Sequence, residues 1–204
     1  MKKALITIAI VVLIIIFNLL LLSCGIKTGT TTSSTTAKIE NSTVTVNTEN
    51  QSNINDYNNR LKEFSQFLTD YQNATLKINQ DIADLSNKLI EATKSKDNKK
   101  FEAYCQVEID KLEELINSLS KIYVPEIAKE YYSYELDRLT KAKQWLSYIL
   151  DFTLSTNFDV SKADSLHDEG YIARIKADKE LERIEKGFNK EAEELGLPKP
   201  YPNL

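Results

Sequence analysis

The only histidine of the chain, His167, stands close to two aspartates, Asp164 and Asp168. On a helix these three side chains share one face, because residues three and four apart are neighbours there. Two carboxylates and an imidazole could hold zinc, and helical di-iron proteins use a related spacing of acid and histidine. Those proteins repeat the unit and add two buried glutamates, whereas this chain has no second histidine. We therefore expect a capping aspartate and a surface histidine, with no metal and no cofactor.

A thiol and several paired glutamates are the other groups that could support catalysis. Cys105 lies beside Tyr104 and Ile109 on an apolar stripe, where a buried thiol has a raised pKa and packs as a small hydrophobic residue. The glutamates at 113–114 and 191–194 stand among lysines, which is typical of a solvated helix face. Phosphate-binding glycine loops, Gly-x-Ser-x-Gly and Cys-x-x-Cys motifs do not occur in the sequence. We therefore predict that the protein is not an enzyme.

One stripe of aromatic and cationic residues could bind a ligand. It belongs to the third predicted helix and consists of Tyr134, Arg138, Lys141, Trp145, Tyr148 and Phe152. Aromatic rings beside cations can stack on a sugar ring or on a partner helix. Alternatively, a central helix of a bundle buries a wider arc and needs no ligand. The possible binding face is Tyr134, Arg138, Trp145 and Tyr148, and an exposed Trp145 would favour binding.

Four long helices are predicted to position these residues. The first carries a core residue at alternating spacings of three and four from Ile54 to Ala92, the period of a coiled-coil seam. Three further stripes follow, at 101–122, 128–153 and 163–195. The residues between the stripes suit turns and helix starts, and they are Ser95-Lys96-Asp97-Asn98, Val124-Pro125-Glu126 and the segment 157–161.

The helix ends and the short connections predict the fold class. Ser161 and Asp164 resemble a capping box for the fourth helix. The small Gly170 would allow close approach of a neighbouring backbone, and Gly196 is a C-terminal stop. We predict an all-α protein, an antiparallel up-down four-helix bundle with coiled-coil-like packing over residues 54–195, followed by an extended proline-rich tail over 196–204. A long helical hairpin and a dimer of hairpins are the alternatives.

The N-terminal segment determines where the protein is expected to reside. Lys2 and Lys3 precede nineteen residues without a charge, Ala4–Leu22, which is typical of an export signal. Together with Leu21-Leu22-Ser23-Cys24, the segment resembles the signal peptide of bacterial lipoproteins, although Leu22 is bulkier than the usual residue there. The resemblance implies that residues 1–23 are cleaved and that Cys24 carries a diacylglyceryl group. Alternatively, the apolar run is a retained transmembrane helix, and both interpretations place the remaining chain outside the cytoplasm.

Residues 24–53 are predicted to be a lipidated cysteine and a disordered tether. The twenty-nine residues after Cys24 include nine threonines, four serines and four asparagines, a composition too polar to form a core. The net charge of −4 becomes −6 without Lys2 and Lys3, which argues against nucleic acid as a partner. If Cys24 is acylated, Cys105 has no partner for an intrachain disulfide.

The layout also resembles small helical-bundle lipoproteins of Gram-positive bacteria. The resemblance depends on the cysteine motif, the Thr/Ser-rich tether and Val124-Pro125-Glu126 between the second and third helices. It implies a lipid-anchored protein on the extracytoplasmic face of the cell membrane. The predicted function is a non-catalytic interaction or structural module whose partner is an envelope protein. The alternative is a ligand-binding module for cell-wall glycan or a small amphipathic molecule.

Overall fold

A computed structural model describes residues 48–154 and 159–203 of the chain. Over these ranges the chain is helical apart from short connections, and it contains no β-strand. The helices are α1 (Thr48–Lys94), α2 (Asn98–Leu119), α3 (Lys129–Leu154) and α4 (Val160–Glu194), with a short 3₁₀ turn at Glu126–Ala128 before α3. The predicted all-α class is confirmed. The predicted leader, Cys24 and the tether up to residue 47 lie outside the described residues.

The start of α1 lies six residues before its predicted start, so positions 48–53 are helical and do not belong to a tether. Extending an existing helix adds one hydrogen bond per residue, so these polar residues follow the packed part of α1 at little cost. The Gln51 side chain also hydrogen-bonds to Asn55 one turn later (3.4 Å). With 47 residues, α1 is about 70 Å long. None of the helices in the described ranges combines the length and apolarity needed to cross a lipid bilayer.

The connection between α1 and α2 is a tight turn centred on Lys96, which has a positive φ of 56°. The Lys96 N–H donates to the Thr93 carbonyl (3.1 Å) and the Asp97 N–H donates to the Ala92 carbonyl (3.0 Å). This pair of bonds is the Schellman motif that ends many helices. The Asp97 carboxylate then accepts the Lys100 N–H (3.1 Å) and caps α2. The predicted turn and N-cap are confirmed.

Replacing Lys96 with glycine is expected to raise the free energy of unfolding by about 1 kcal/mol, because glycine adopts a positive φ without a clash at Cβ. Urea denaturation followed by circular dichroism measures the change. The control Lys88→Gly, at an exposed position inside α1, should lower the same quantity by about 1 kcal/mol. Destabilisation by Lys96→Gly would contradict the role of this turn.

The remaining helix ends agree with the sequence except at one position. Pro125, with φ of −65°, precedes the 3₁₀ turn as predicted. The N-cap of α4 is Asp159, whose carboxylate accepts the Ser161 N–H (3.0 Å). The predicted capping box starting at Ser161 is therefore wrong, because an aspartate two residues earlier already starts the helix. Gly196, with φ of 72°, ends α4 as predicted.

Aromatic side chains join α1 to α3 and α4. The rings of Tyr57 and Phe64 on α1 lie 5.9 and 5.6 Å from the ring of Phe188 on α4. Further along α1, the ring of Phe67 lies 6.2 Å from that of Tyr131 on α3, nearly perpendicular to it. Aromatic pairs at these distances add to the stability gained from burial alone. The first half of α1 therefore packs on both α3 and α4.

Consecutive helices also contact each other through ion pairs on their outer edges. These pairs are Asp81–Lys111 (3.6 Å) between α1 and α2, Glu113–Lys143 (2.9 Å) between α2 and α3, and Lys141–Glu169 (2.5 Å) between α3 and α4. At Gly170 a Cβ atom would lie 3.4 Å from the Lys141 Cβ, which confirms the predicted close approach of two helices. The second half of α1 thus packs on α2, while α3 contacts both α2 and α4.

Candidate functional site

Buried charged residues connect α3 to α1. Glu135 and Arg138 lie one turn apart on α3 and are only 1% and 7% exposed. The Arg138 guanidinium donates to Glu135 Oε2 from Nε (3.2 Å) and from Nη2 (2.7 Å). Tyr71 on α1 donates its phenol hydrogen to the same oxygen. A buried carboxylate is tolerated when a cation and a hydrogen-bond donor compensate for the lost water.

Two residues of α4 extend this group toward the surface. The Arg174 guanidinium lies 3.7 Å from the Asp178 carboxylate. Burial raises the pKa of Asp178, while Arg174 acts to lower it and the charge of Glu135 acts to raise it. We call the five residues from these three helices the polar cluster, and they are Tyr71, Glu135, Arg138, Arg174 and Asp178. Its hydrogen bonds join α1 to α3, and the charges of Glu135 and Arg138 on α3 act on Asp178 of α4.

Glu108 on α2 is a second buried acid, and it lies away from the polar cluster in a different chemical environment. It occupies the apolar seam of α2 between Cys105 and Leu112 and is 1% exposed. Its Oε2 has no hydrogen-bond partner among the residues that the structure describes. Burial raises the pKa of Glu108 to about 8. The side chain is therefore mainly a neutral acid at pH 7, the form that costs least to bury.

Cys105 lies one turn before Glu108 and is fully buried. Burial raises the pKa of its thiol to about 12, with further increases from the charges of Glu108 and Glu102. Because the thiolate is both the nucleophile and the metal ligand, this environment suppresses its reactivity at neutral pH. The predicted packing of Cys105 in the core is confirmed.

The four residues of the predicted binding face do not form one exposed surface. Trp145 is fully buried, and Arg138 belongs to the polar cluster. Tyr134 is half-buried and donates its phenol hydrogen to Glu130 on its own helix (2.7 Å). Tyr148 is half-buried as well. Trp145 is therefore not part of an exposed binding platform. Helix α3 packs against several helices and buries a wide arc of its surface, as the alternative interpretation of the stripe predicts.

Tyr148 instead connects the end of α3 to the start of α4. Its hydroxyl donates to the Asp159 carbonyl (3.2 Å) and accepts the Asp159 N–H (3.0 Å). The Lys162 ammonium lies 4.8 Å from the centre of the Tyr148 ring, within the range of a cation–π contact. The residue that caps α4 is thus held in place by α3.

The Tyr148→Phe variant is expected to lose about 1 kcal/mol of unfolding free energy, because the hydroxyl that serves both backbone groups of Asp159 is removed. Thermal denaturation at fixed protein concentration measures the loss. Tyr123, which is 69% exposed, provides the control, and Tyr123→Phe should leave stability unchanged. An equal effect of both substitutions would contradict the connecting role of Tyr148.

His167 lies near the start of α4, and its position differs from the prediction. Its side chain is only 13% exposed, with Nδ1 3.4 Å from the Asp168 carboxylate. The predicted surface histidine is therefore largely covered, although it is not part of the buried core, and Asp164 is exposed. Over residues 48–154 and 159–203, no three or more histidine, cysteine or acidic residues are grouped so that they could hold a metal ion.

The C-terminal tail makes a contact that was not predicted. The Asn189 side chain on α4 donates to the Tyr201 carbonyl (2.6 Å) and accepts the Tyr201 N–H (2.9 Å). Burial raises the pKa of Tyr201 to about 12, the charge of Glu185 raises it further, and a hydrogen bond with Ser65 on α1 lowers it. We call this arrangement of Asn189 and Tyr201 the tail clamp. It brings the tail back over the junction of α1 and α4.

Two of these buried residues could have been found from their spacing. Glu108 continues the seam of Cys105, Leu112, Leu115 and Leu119 at intervals of three and four, and Glu135 stands in the same way between Tyr131 and Arg138. The tail clamp has no such periodic pattern, because its two residues belong to a helix and to an irregular segment.

Comparison with known proteins gives no match to a protein-family model, to a curated protein or to a solved structure. The function must therefore be inferred from the residues of the chain itself.

Proposed function

We propose that this chain is an exported lipoprotein, anchored by a lipid on Cys24 to the extracytoplasmic face of the cell membrane. Its helices would form a non-catalytic structural or interaction module whose partner is an envelope protein. The observation that carries the proposal is the sequence Leu21-Leu22-Ser23-Cys24, at the end of a charge-free run behind two lysines. A basic flank, an apolar run and a cysteine at its boundary together supply the export signal and the group to be acylated.

We further propose that the four helices run alternately up and down as a bundle. The ion pair between Asp81 on α1 and Lys111 on α2 supports opposite directions for these two helices. Both residues are the same number of positions away from Lys96 in the connecting turn, as expected for a helical hairpin. Two contacts support a common direction for α1 and α3. Phe67 contacts Tyr131, and one turn later on both helices Tyr71 contacts Glu135.

The burial of the reactive groups supports a role without catalysis. A general acid or base must reach the proton that it transfers, whereas Glu108 and Glu135 are each 1% exposed. The high pKa of the Cys105 thiol likewise disfavours nucleophilic attack. These groups contribute to packing between helices, which suits a module that binds or spaces other components.

The start of α1 supports attachment through a spacer. Residues 50–53 are exposed, and Tyr57 is the first buried residue of the helix. The segment 25–47 between Cys24 and α1 is rich in threonine and serine. A linker of this length would reach roughly 25–30 Å, which would separate the helices from the lipid headgroups.

Expression of the full chain in a Gram-positive host tests the anchor. The wild-type protein should partition with membranes, lack residues 1–23 and carry the mass of a diacylglyceryl group. Cys24→Ala should abolish both the cleavage and the added mass, globomycin should block the cleavage and leave the added mass on the uncleaved chain, and the control Cys105→Ala should be processed normally. Unchanged mass and membrane partition in Cys24→Ala would overturn the proposal, and an intact N-terminus in membranes would indicate the retained transmembrane helix.

A further inference from the structure

The tail clamp binds an extended backbone in a way that does not depend on the tail's side chains. The side-chain amide of Asn189 accepts a hydrogen bond from the Tyr201 N–H and donates one to the Tyr201 carbonyl. A strand of a β-sheet recognises a bound peptide through the same two backbone groups, while pockets for side chains add specificity. Asn189 is buried when the tail is in place, so both hydrogen bonds are shielded from water.

The site of Tyr201 lies at the junction of α1 and α4. Its phenol group is close enough to Ser65 and Tyr57 on α1 and to Glu185 on α4 for all three to affect its pKa. Beside it, Arg60 on α1 forms an ion pair with Glu191 on α4. Tyr201 also packs against the hydrophobic core, so the site combines an apolar contact, a buried amide and a charged edge, which are common parts of a ligand-binding site.

We infer that this junction is a peptide-binding groove, which takes an extended segment with an aromatic residue between two prolines, and that the chain's own tail occupies it. Pro200 and Pro202 flank Tyr201, and proline carries no N–H, so Tyr201 offers the single N–H of this tripeptide. Asn189 Oδ1 accepts that N–H (2.9 Å). The prolines also restrict the unbound segment, which lowers the entropy lost on binding.

The connection of the tail determines how strongly the tail competes with a partner for the groove. Gly196, with φ of 72°, turns the chain away from α4 immediately before the tail, and Tyr201 follows Asn189 by only twelve positions. A short connection gives the tail a high effective concentration at the groove. A partner segment of the same chemistry must therefore displace the tail before it binds.

The inference deepens the proposed interaction role by naming the class of partner, a protein with an exposed Pro-aromatic-Pro segment. It is tested on purified protein without a membrane. Failure of peptide binding is therefore distinguishable from failure of the lipid anchor, which is measured by mass and membrane partition.

The test uses the full chain with Tyr201→Ala, which removes the aromatic anchor of the tail and leaves the groove in place. A fluorescent peptide with the sequence of residues 197–204 is titrated and its anisotropy is followed. The variant should bind it at least about tenfold more tightly than the wild type, whose groove is occupied. A peptide with alanine in place of the tyrosine should not bind, and adding Asn189→Ala to the protein should weaken binding about tenfold or more.

Equal binding to variant and wild type, with unchanged helical circular dichroism, would overturn the inference, as would equal binding of the two peptides. A second measurement uses the wild-type protein and does not depend on the folding of a variant. An excess of the unlabelled peptide should release the tail and speed the hydrogen exchange of the Tyr201 amide, and an unchanged exchange rate would overturn the inference.

Discussion

The Arg138→Met variant is expected to unfold with about 3–5 kcal/mol less free energy than the wild type. The substitution keeps most of the buried volume but removes the cation that donates two hydrogen bonds to the Glu135 carboxylate, which stays buried and keeps the hydrogen bond from Tyr71. An uncompensated buried charge is among the most costly defects a core can hold. Urea denaturation at pH 7, followed by circular dichroism, measures the loss.

Two controls separate this burial effect from a general cost of losing an ion pair. Adding Glu135→Leu to Arg138→Met should restore much of the lost stability, because an apolar pair can fill the same space without charge. Lys143→Met removes the exposed partner of Glu113 and should cost less than about 1 kcal/mol. A double variant as unstable as the single one, or equal losses from Arg138→Met and Lys143→Met, would contradict the role of the polar cluster.

The Glu108→Gln variant is expected to change how stability depends on pH. Burial raises the pKa of Glu108 from 4.5 to about 8 in the folded protein. Between these values the unfolded chain has lost the proton and the folded protein retains it, so raising the pH favours unfolding. The wild type should therefore lose stability from about pH 4.5 to about pH 8, and this contribution should be constant above pH 8.

The size of the effect follows from the shift in pKa. One pKa unit corresponds to about 1.4 kcal/mol, so Glu108 should lower the wild-type unfolding free energy at pH 8 by on the order of 5 kcal/mol relative to pH 4.5. Glutamine is neutral throughout, and the variant should lack this loss. Urea denaturation of both proteins in steps from pH 5 to pH 8 gives the difference between the two slopes, to which the introduced amide adds only a constant.

An exposed glutamate on the same helix provides the matched control. Glu114 is more than half exposed and pairs with Lys111 at the surface, so Glu114→Gln should follow the wild-type pH profile within about 1 kcal/mol. Parallel profiles for wild type and Glu108→Gln would contradict a protonated Glu108 in the core. The profiles end at pH 8 because Cys105 titrates at higher pH.

The helices and most of their ends could be predicted because their determinants are local. An apolar residue every three or four positions specifies a helix with one buried stripe, and this pattern is visible in the first helix from Ile54 onward. The turn at Lys96 and the stop at Gly196 depend on residues that are near neighbours in the chain. The cap of α4 was missed by two residues, because Asp159 and Ser161 are both suitable caps and the sequence offers no basis for choosing between them.

The contacts of the candidate sites depend on residues that are far apart in the sequence. A periodic pattern shows that a stripe containing Trp145 exists but does not show how many helices cover it, so the sequence leaves open whether Trp145 belongs to a binding face or to the core. The phenol of Tyr71 and the carboxylate of Glu135 meet across 64 positions. The contact between Tyr201 and Asn189 likewise depends on where the C-terminal tail packs against the helices.

The sequence by itself determined the helical class, the turns and the residue types available at each position, including the Leu21-Leu22-Ser23-Cys24 segment on which the proposed anchor rests and which lies outside the described residues. Only the tertiary structure decided which polar groups are buried and which partners they have. The physical reason is that helix formation depends on backbone bonds four residues apart, whereas the burial of Glu108, Glu135 or Trp145 depends on every helix packed around it.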